Sequence, residues 1–145
     1  MSNISNKPGF SPQLRDELAL RDAAMAGDIA VVITPATVDQ LETTKAWSRP
    51  VEVELRTAAG KLHDWFTGSF ASKASVGDTS TAGTAAIAST TLSFVNGRAL
   101  INVTSAAATW VADETNTLTI GDIVIMGKTV TGGTSVGTIV APEEP

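Results

Sequence analysis

Residues 91–110 read TLSFVNGRALINVTSAAATW and contain the strongest local fold signal in the chain. Asn96 and Gly97 stand between two apolar-rich runs, and this pair favours the positive backbone angles of a tight type I′ turn. In the second run, alternate residues from Ala99 to Val103 are expected to face the same way. The stretch therefore predicts a β-hairpin.

Upstream of the hairpin, a second segment alternates strictly between apolar and charged side chains: Val51, Val53 and Leu55 against Glu52, Glu54 and Arg56. This period of two predicts a strand with one buried and one wet face. TAAGK then supplies a turn, and KLHDWF is expected to run back as a partner strand. Counted from IAVVI (29–33), also a predicted strand, roughly seven to nine short strands recur about every 8–12 residues, which predicts an antiparallel sandwich or barrel.

Composition narrows the function classes. The chain has 145 residues, no cysteine, one histidine and a net charge of −5. This length suits one domain with an appended arm or helix. The lack of cysteine excludes disulfides and thiolate chemistry. The acidic balance argues against nucleic acid as a partner, because binding phosphates requires clustered Lys and Arg.

The N-terminal part carries most of the charge: 16 of 25 charged side chains lie in residues 1–66. Residues 1–10 are expected to form an extended arm. A helix is then predicted, with Ser11 as its cap, Pro12 at its first position and Gly27 closing it. Residues 34–47 fit either a second short helix or an irregular connection.

One face of the predicted helix is apolar and narrow. Leu14, Leu18 and Met25 share that face, and Phe10 precedes it in line. A narrow stripe suits a helix that lies on a surface better than one inside a bundle. Trp47, whose flank is polar, is the tryptophan most expected to touch a partner. These five residues are the predicted partner-binding set.

Two glycine-containing motifs are better explained by structure than by chemistry. GDIVIMGKT (121–129) has five residues between its glycines, where a phosphate loop requires four. The residues between them are mostly β-formers. TGGTSVG (131–137) has no basic residue beside it and suits a turn or bulge. No cofactor is predicted.

His63 and Asp64 are adjacent, but neighbours on a strand point to opposite faces, and a triad needs three groups within hydrogen-bonding reach. His63 is therefore predicted to be a surface residue. Asp113, Glu114 and Asp122 lack the dense spacing of a calcium loop and are expected to be solvated turn carboxylates. No catalytic or metal-binding residue is predicted, and the protein is not expected to be an enzyme.

The features VEVELRTAAGKLHDWF, LSFVNGRALINVT and TLTIGDIVIMGKTVTGGTSV together resemble the immunoglobulin-like domains of tailed-bacteriophage virion proteins. The resemblance covers about the last two-thirds of the chain and includes no catalytic signature. A single such domain behind an arm and a helix is similar to a capsid decoration, or cement, protein. That family implies a mainly β, immunoglobulin-like antiparallel sandwich that binds a shell of major capsid protein, often as a homo-oligomer.

Three regions are predicted: an N-terminal arm and helix that dock onto the partner (1–47), an immunoglobulin-like sandwich (48–140) and a flexible tail (141–145). The predicted function is that of a structural protein on the outside of the virion, made in the host cytoplasm, with no membrane partner. Two alternatives stay open: a tail-tube or tail-tip protein, and a carbohydrate- or host-surface-binding module. The carbohydrate-binding alternative would need exposed aromatic residues, and the chain has few aromatic residues.

Overall fold

The computed structural model describes residues 12–143, which form one helix and twelve strands. In chain order the elements are α1 (Pro12–Met25), β1 (Ala30–Thr34), β2 (Thr37–Leu41), β3 (Trp47–Arg56), β4 (Gly68–Phe70), β5 (Ala74–Asp78), β6 (Ala85–Ala86), β7 (Leu92–Phe94), β8 (Arg98–Ser105), β9 (Thr115–Ile120), β10 (Ile123–Ile125), β11 (Lys128–Val130) and β12 (Gly133–Val140). The prediction of a mainly β chain with an N-terminal helix is confirmed.

Most strands belong to two four-stranded sheets, with orders β1-β3-β8-β6 and β2-β12-β9-β5. Neighbouring strands are antiparallel except for β12 and β2, which run parallel. Two further antiparallel pairs, β4 with β7 and β10 with β11, lie outside these sheets. The architecture is therefore that of a β-sandwich-like body.

The predicted alternation in β3 defines the core face of its sheet. Val51, Val53 and Leu55 are completely buried, and Ala99 on β8 lies directly opposite Val53. Trp110 is also buried. The remaining fully buried large apolar side chains are contributed by both sheets and by the two further strand pairs: Phe94, Leu92, Leu118, Ile123, Ile139, Val103 and Val130.

The Asn96–Gly97 turn is confirmed, but the predicted hairpin is not formed beyond the Val95–Arg98 bridge, because β7 pairs with β4 and β8 pairs with β3. Both residues have positive φ angles, 51° and 78°, as a type I′ turn requires. The Gly97 amide donates to the Phe66 carbonyl at 2.7 Å, and a Cβ at Gly97 would meet the His63 carbonyl oxygen at 2.5 Å. The position therefore requires glycine for its backbone angles and for the close packing of its neighbours.

The helix ends as its sequence predicts. Gly27, at φ 90°, follows the last turn, and the Asp28 amide bonds back to the Ala23 carbonyl at 2.8 Å in a Schellman arrangement. Arg21 and Glu17, four residues apart on the helix, form an ion pair at 3.0 Å. The cap predicted at Ser11 lies outside the described residues. Within residues 12–143, no helix has the length and apolar character needed to cross a membrane.

The segment 34–47 is neither a helix nor irregular, since it contains strand β2. A cis Thr34–Pro35 peptide separates β1, which pairs with β3, from β2, which pairs with β12. The two strands thus belong to different sheets. The boundary predicted between residues 47 and 48 is therefore wrong as a structural boundary, because the sandwich already begins at Ala30.

Of two other local predictions, the first is wrong and the second is confirmed. The KLHDWF segment forms no partner strand for β3, because only Leu62 bridges to Arg56. GDIVIMGKT contains the β10–β11 hairpin, turning at Met126 and Gly127 with φ angles of 51° and 75°. The preference of this motif for strand structure is confirmed.

Candidate functional site

The helix is attached to the body by one face. Leu20 and Ala24 are buried, whereas Leu14 and Met25 are 36% and 58% exposed. At 3.6 residues per turn, the exposed pair lies about a third of a turn from the buried pair. Leu18 is half-buried, so its exposure is intermediate between those of the two pairs. The helix therefore presents most of its predicted apolar stripe outward while a different face anchors it.

The other two members of the predicted partner-binding set have different placements. Phe10 lies outside the described residues. Trp47 is half-buried at the start of β3, and its ring meets Trp110 edge-on with centroids 5.3 Å apart. Its indole nitrogen is buried and finds no hydrogen-bond partner among residues 12–143. Trp47 is therefore part of the packing around the core, and its predicted contact with a partner stays a prediction.

His63 is completely buried, so its prediction as a surface residue is wrong. The Trp65 indole N–H lies 3.1 Å from His63 Nδ1, which must accept because an indole nitrogen only donates. Nε2 therefore carries the proton and donates to the Asp28 carbonyl at 2.9 Å. Both ring nitrogens are engaged, and the imidazole joins the end of α1 to the segment around Trp65.

Two further contacts fix the helix over the same segment. The Arg21 guanidinium lies 5.2 Å from the centroid of the Trp65 ring, within the range of a cation–π interaction. Lys61 and Asp16 approach to 3.6 Å at the surface. With the buried imidazole, these contacts give α1 a defined position on the body.

Arg49 is the main polar element between the two sheets. It lies on β3, and its side chain is buried among atoms of β9 and β12 in the opposite sheet. Nε donates to Asn116 Oδ1 at 2.6 Å, and Nη1 donates to Ser135 Oγ at 2.8 Å. Nη2 donates to the carbonyl oxygens of the same two residues at 3.3 and 3.0 Å. Burial lowers the pKa of the Arg49 guanidinium.

The polar network extends to strand β2. Asn116 donates through Nδ2 to Gln40 Oε1 at 2.7 Å, and Ser135 donates to the Pro35 carbonyl at 2.6 Å. A Cβ at Gly137 would overlap the Gln40 side chain and approach Arg49 Nε to 3.0 Å. Glycine at position 137 therefore leaves room for the network, which acts as a structural link between sheets.

Glu114, expected to be a solvated turn carboxylate, is buried and organises two loops. Its carboxylate accepts from the Val111 amide at 2.9 Å, the Thr81 amide at 3.1 Å and the Ser80 hydroxyl at 3.2 Å. The bond from the Val111 amide is the main reason that the pKa of Glu114 is lowered. Among residues 12–143, no three His, Asp or Glu side chains are grouped so that they could hold a metal ion.

A charge cluster covers the outer face of β3. Glu54 lies between Arg56 Nη2 at 2.8 Å and Arg98 Nε at 3.0 Å, and Glu52 lies 3.4 Å from Arg98. The hydrogen bond from Arg56, together with the contribution of Arg98, lowers the pKa of Glu54. The face of β3 predicted to be exposed to solvent is thus partly covered by ion pairs between side chains, and Glu54 is buried.

The chain has few detectable relatives. No protein-family model matches it, and no curated protein matches it. Among solved structures, the crystal structure of the S-layer protein SbsC domains 4 and 5 is similar at 18% sequence identity and a TM-score of 0.36. That similarity covers 77% of this chain and 45% of the other, so this chain spans less than half the length of its structural neighbour.

Proposed function

We propose that this chain is a structural virion protein that binds the outside of an assembled bacteriophage capsid, with the major capsid protein as its partner and an immunoglobulin-like sandwich as its body. It decorates or stabilises the shell. Its side chains supply a surface for docking, and it acts on the shell as one of many copies.

The order of the strands supports the immunoglobulin-like assignment. If β1, β3, β6 and β8 are taken as strands A, B, D and E, the first sheet has the order ABED. Strands β5, β9 and β12 then correspond to C, F and G in the second sheet. The same division of strands between sheets occurs in immunoglobulin-like sandwiches, and this agreement supports the proposed assignment.

The observation that carries the docking proposal is the double-faced helix α1. Leu20 and Ala24 fix it to the body, while Met25 on another face is more than half exposed. Methionine is enriched in protein interfaces relative to the rest of the protein surface. A helix fixed in this way binds a partner with little further loss of conformational entropy.

A co-sedimentation experiment with capsid shells tests this proposal. Shells assembled from the capsid protein of the encoding virus are mixed with wild-type protein, with Met25→Glu and with Val124→Glu. Val124 is 59% exposed on β10, so it controls for the loss of an exposed apolar side chain. We expect wild type and Val124→Glu to sediment with shells and Met25→Glu to bind at least about fivefold more weakly.

Failure of the wild-type protein to bind shells would contradict the proposed function. Equal binding by Met25→Glu would leave α1 without the docking role assigned to it. Electron microscopy of the purified protein separates the tail alternative, since rings or tubes formed without shells would favour a tail-tube subunit. A map of the virion would show directly where the copies are located.

A further inference from the structure

Strand β8 has a gap along one of its edges. On one side it pairs with β3 from Arg98 to Ser105. On the other side, β6 pairs only with Thr104 and Ser105, and Arg98 forms an isolated bridge to Val95. Between these two attachments, none of the strands in the described part of the chain lies beside the edge of β8.

The backbone groups that face the gap can be identified. Arg98 and Val95 exchange both of their backbone hydrogen bonds, at 2.8 and 3.1 Å, so the amide and carbonyl of Arg98 point away from β3. Because this direction alternates along an antiparallel strand, the amides and carbonyls of Leu100 and Asn102 point the same way. Within residues 12–143, no backbone group pairs with them on that side.

A hollow of about 440 Å³ lies beside this edge. Its far wall is the chain that follows β6, which leaves β8 because the Thr90 carbonyl accepts from Ala74 in the other sheet. Leu100 is 66% exposed at the mouth. All of the lining residues are uncharged: Ala86, Ile87, Ala88, Ser89, Thr91, Leu100, Ile101, Asn102 and Thr104.

We propose that this hollow is where an extended, uncharged segment of the capsid protein adds to the sheet as a strand beside β8. The inference rests on the proposed function and adds a second docking surface to the one on α1. The inserted strand pairs with the backbone groups of Leu100 and Asn102 and covers the Leu100 side chain. Main-chain pairing gives the affinity in this mode of recognition, and the side chains along the groove give specificity.

The uncharged lining of the hollow determines which kind of peptide segment can bind there. A charged side chain would lose its water there without finding an opposite charge, and burying an unpaired charge is costly. The open edge lies between the two attachments, at residues 99–103, and is about 16 Å long at 3.3 Å per residue, which is enough for a short strand. An apolar or small-residue strand therefore fits both the walls and the edge.

Amide hydrogen exchange tests the pairing directly. In the free protein, two amides of the peptide covering residues 99–103, those of Leu100 and Asn102, are expected to exchange rapidly. On shells, both are expected to slow at least about tenfold, because each gains a hydrogen bond in a closed sheet. The β10–β11 hairpin, residues 123–130, is the internal control and is expected to be unchanged.

A charge placed at the mouth gives a second measurement. Leu100→Lys is expected to weaken shell binding about tenfold, whereas Val124→Lys, at a position of similar exposure, is expected to bind like wild type. The chain has no cysteine, so Leu100→Cys and Val124→Cys each carry one site for a photo-crosslinker. Only the former is expected to crosslink to the capsid protein.

The outcomes separate the two proposals. If wild type does not bind shells, the proposed function falls and this inference falls with it. If wild type binds shells while the amides of Leu100 and Asn102 stay fast, the proposed function stands and strand addition is overturned. Slowing of these amides without shells, increasing with protein concentration, would show that a second copy of this chain occupies the edge and would also overturn the inference.

Discussion

Arg49 and Asn116 join the two sheets of the sandwich through a buried hydrogen bond of 2.6 Å between Nε and Oδ1. Among the described residues, Arg49 has no carboxylate partner, and its charge is balanced by amide, hydroxyl and carbonyl oxygens. A buried cation held in this way makes the two sheets dependent on each other, because removing it leaves several oxygens without donors.

Replacing Arg49 by Met should destabilise the fold by about 3 kcal/mol, because Asn116 and Ser135 lose charge-assisted bonds in a dry environment. The measurement is the free energy of unfolding in urea. Arg15→Met is the matched control, since Arg15 is exposed on α1. Equal stability of the two variants would mean that the network contributes little to the association of the sheets.

Gly97→Ala should destabilise the fold more than Gly60→Ala. Both glycines have positive φ, 78° and 89°, so both variants incur a backbone cost of about 1–2 kcal/mol. Only at Gly97 would the new Cβ also collide with the His63 carbonyl oxygen. Thermal unfolding of both variants separates the two effects, and similar melting temperatures would rule out the steric one. Gly97→Val should lower the melting temperature further.

The imidazole of His63 should be the Nε2–H tautomer. Trp65 donates to Nδ1, and the Asp28 carbonyl accepts from Nε2. His63 is the single histidine of the chain, so nitrogen NMR of the ring is assigned without further variants. A signal from an Nδ1–H tautomer would contradict the contact with Trp65. His63→Leu should cost about 1–3 kcal/mol, because the Trp65 N–H loses its acceptor.

Stability should fall in acid partly through Glu114. Its pKa is lowered in the folded state, chiefly by the Val111 amide. The stabilisation is therefore present above the unfolded-state pKa, about 4.3, and is lost as the pH falls through the lower folded-state value. The lowered pKa of Glu54 acts in the same direction.

Glu114→Gln should consequently be less stable than wild type at pH 7 and should lose less stability between pH 6 and pH 3. The measurement is urea unfolding at each pH. Glu143→Gln, in the exposed C-terminal segment, is the control and should follow the wild-type curve. Parallel curves for wild type and Glu114→Gln would show that this carboxylate does not contribute to the acid sensitivity.

The sequence by itself determined the features that depend on near neighbours. The turn at Asn96 and Gly97, the buried alternation from Val51 to Leu55 and the end of α1 at Gly27 all follow from backbone preferences and side-chain periodicity over a few residues. Such signals are local, because turn angles and the two-residue period of a strand are set within the segment itself.

Only the tertiary structure decided what the polar residues do. Arg49 and Asn116 are 67 positions apart, and His63 meets a carbonyl 35 positions away. Strand β2 forms because β12, about 100 residues later, lies beside it. The open edge of β8 likewise depends on where the chain after β6 runs. These features arise from contacts between distant segments, and no local pattern of residues encodes which segments will meet.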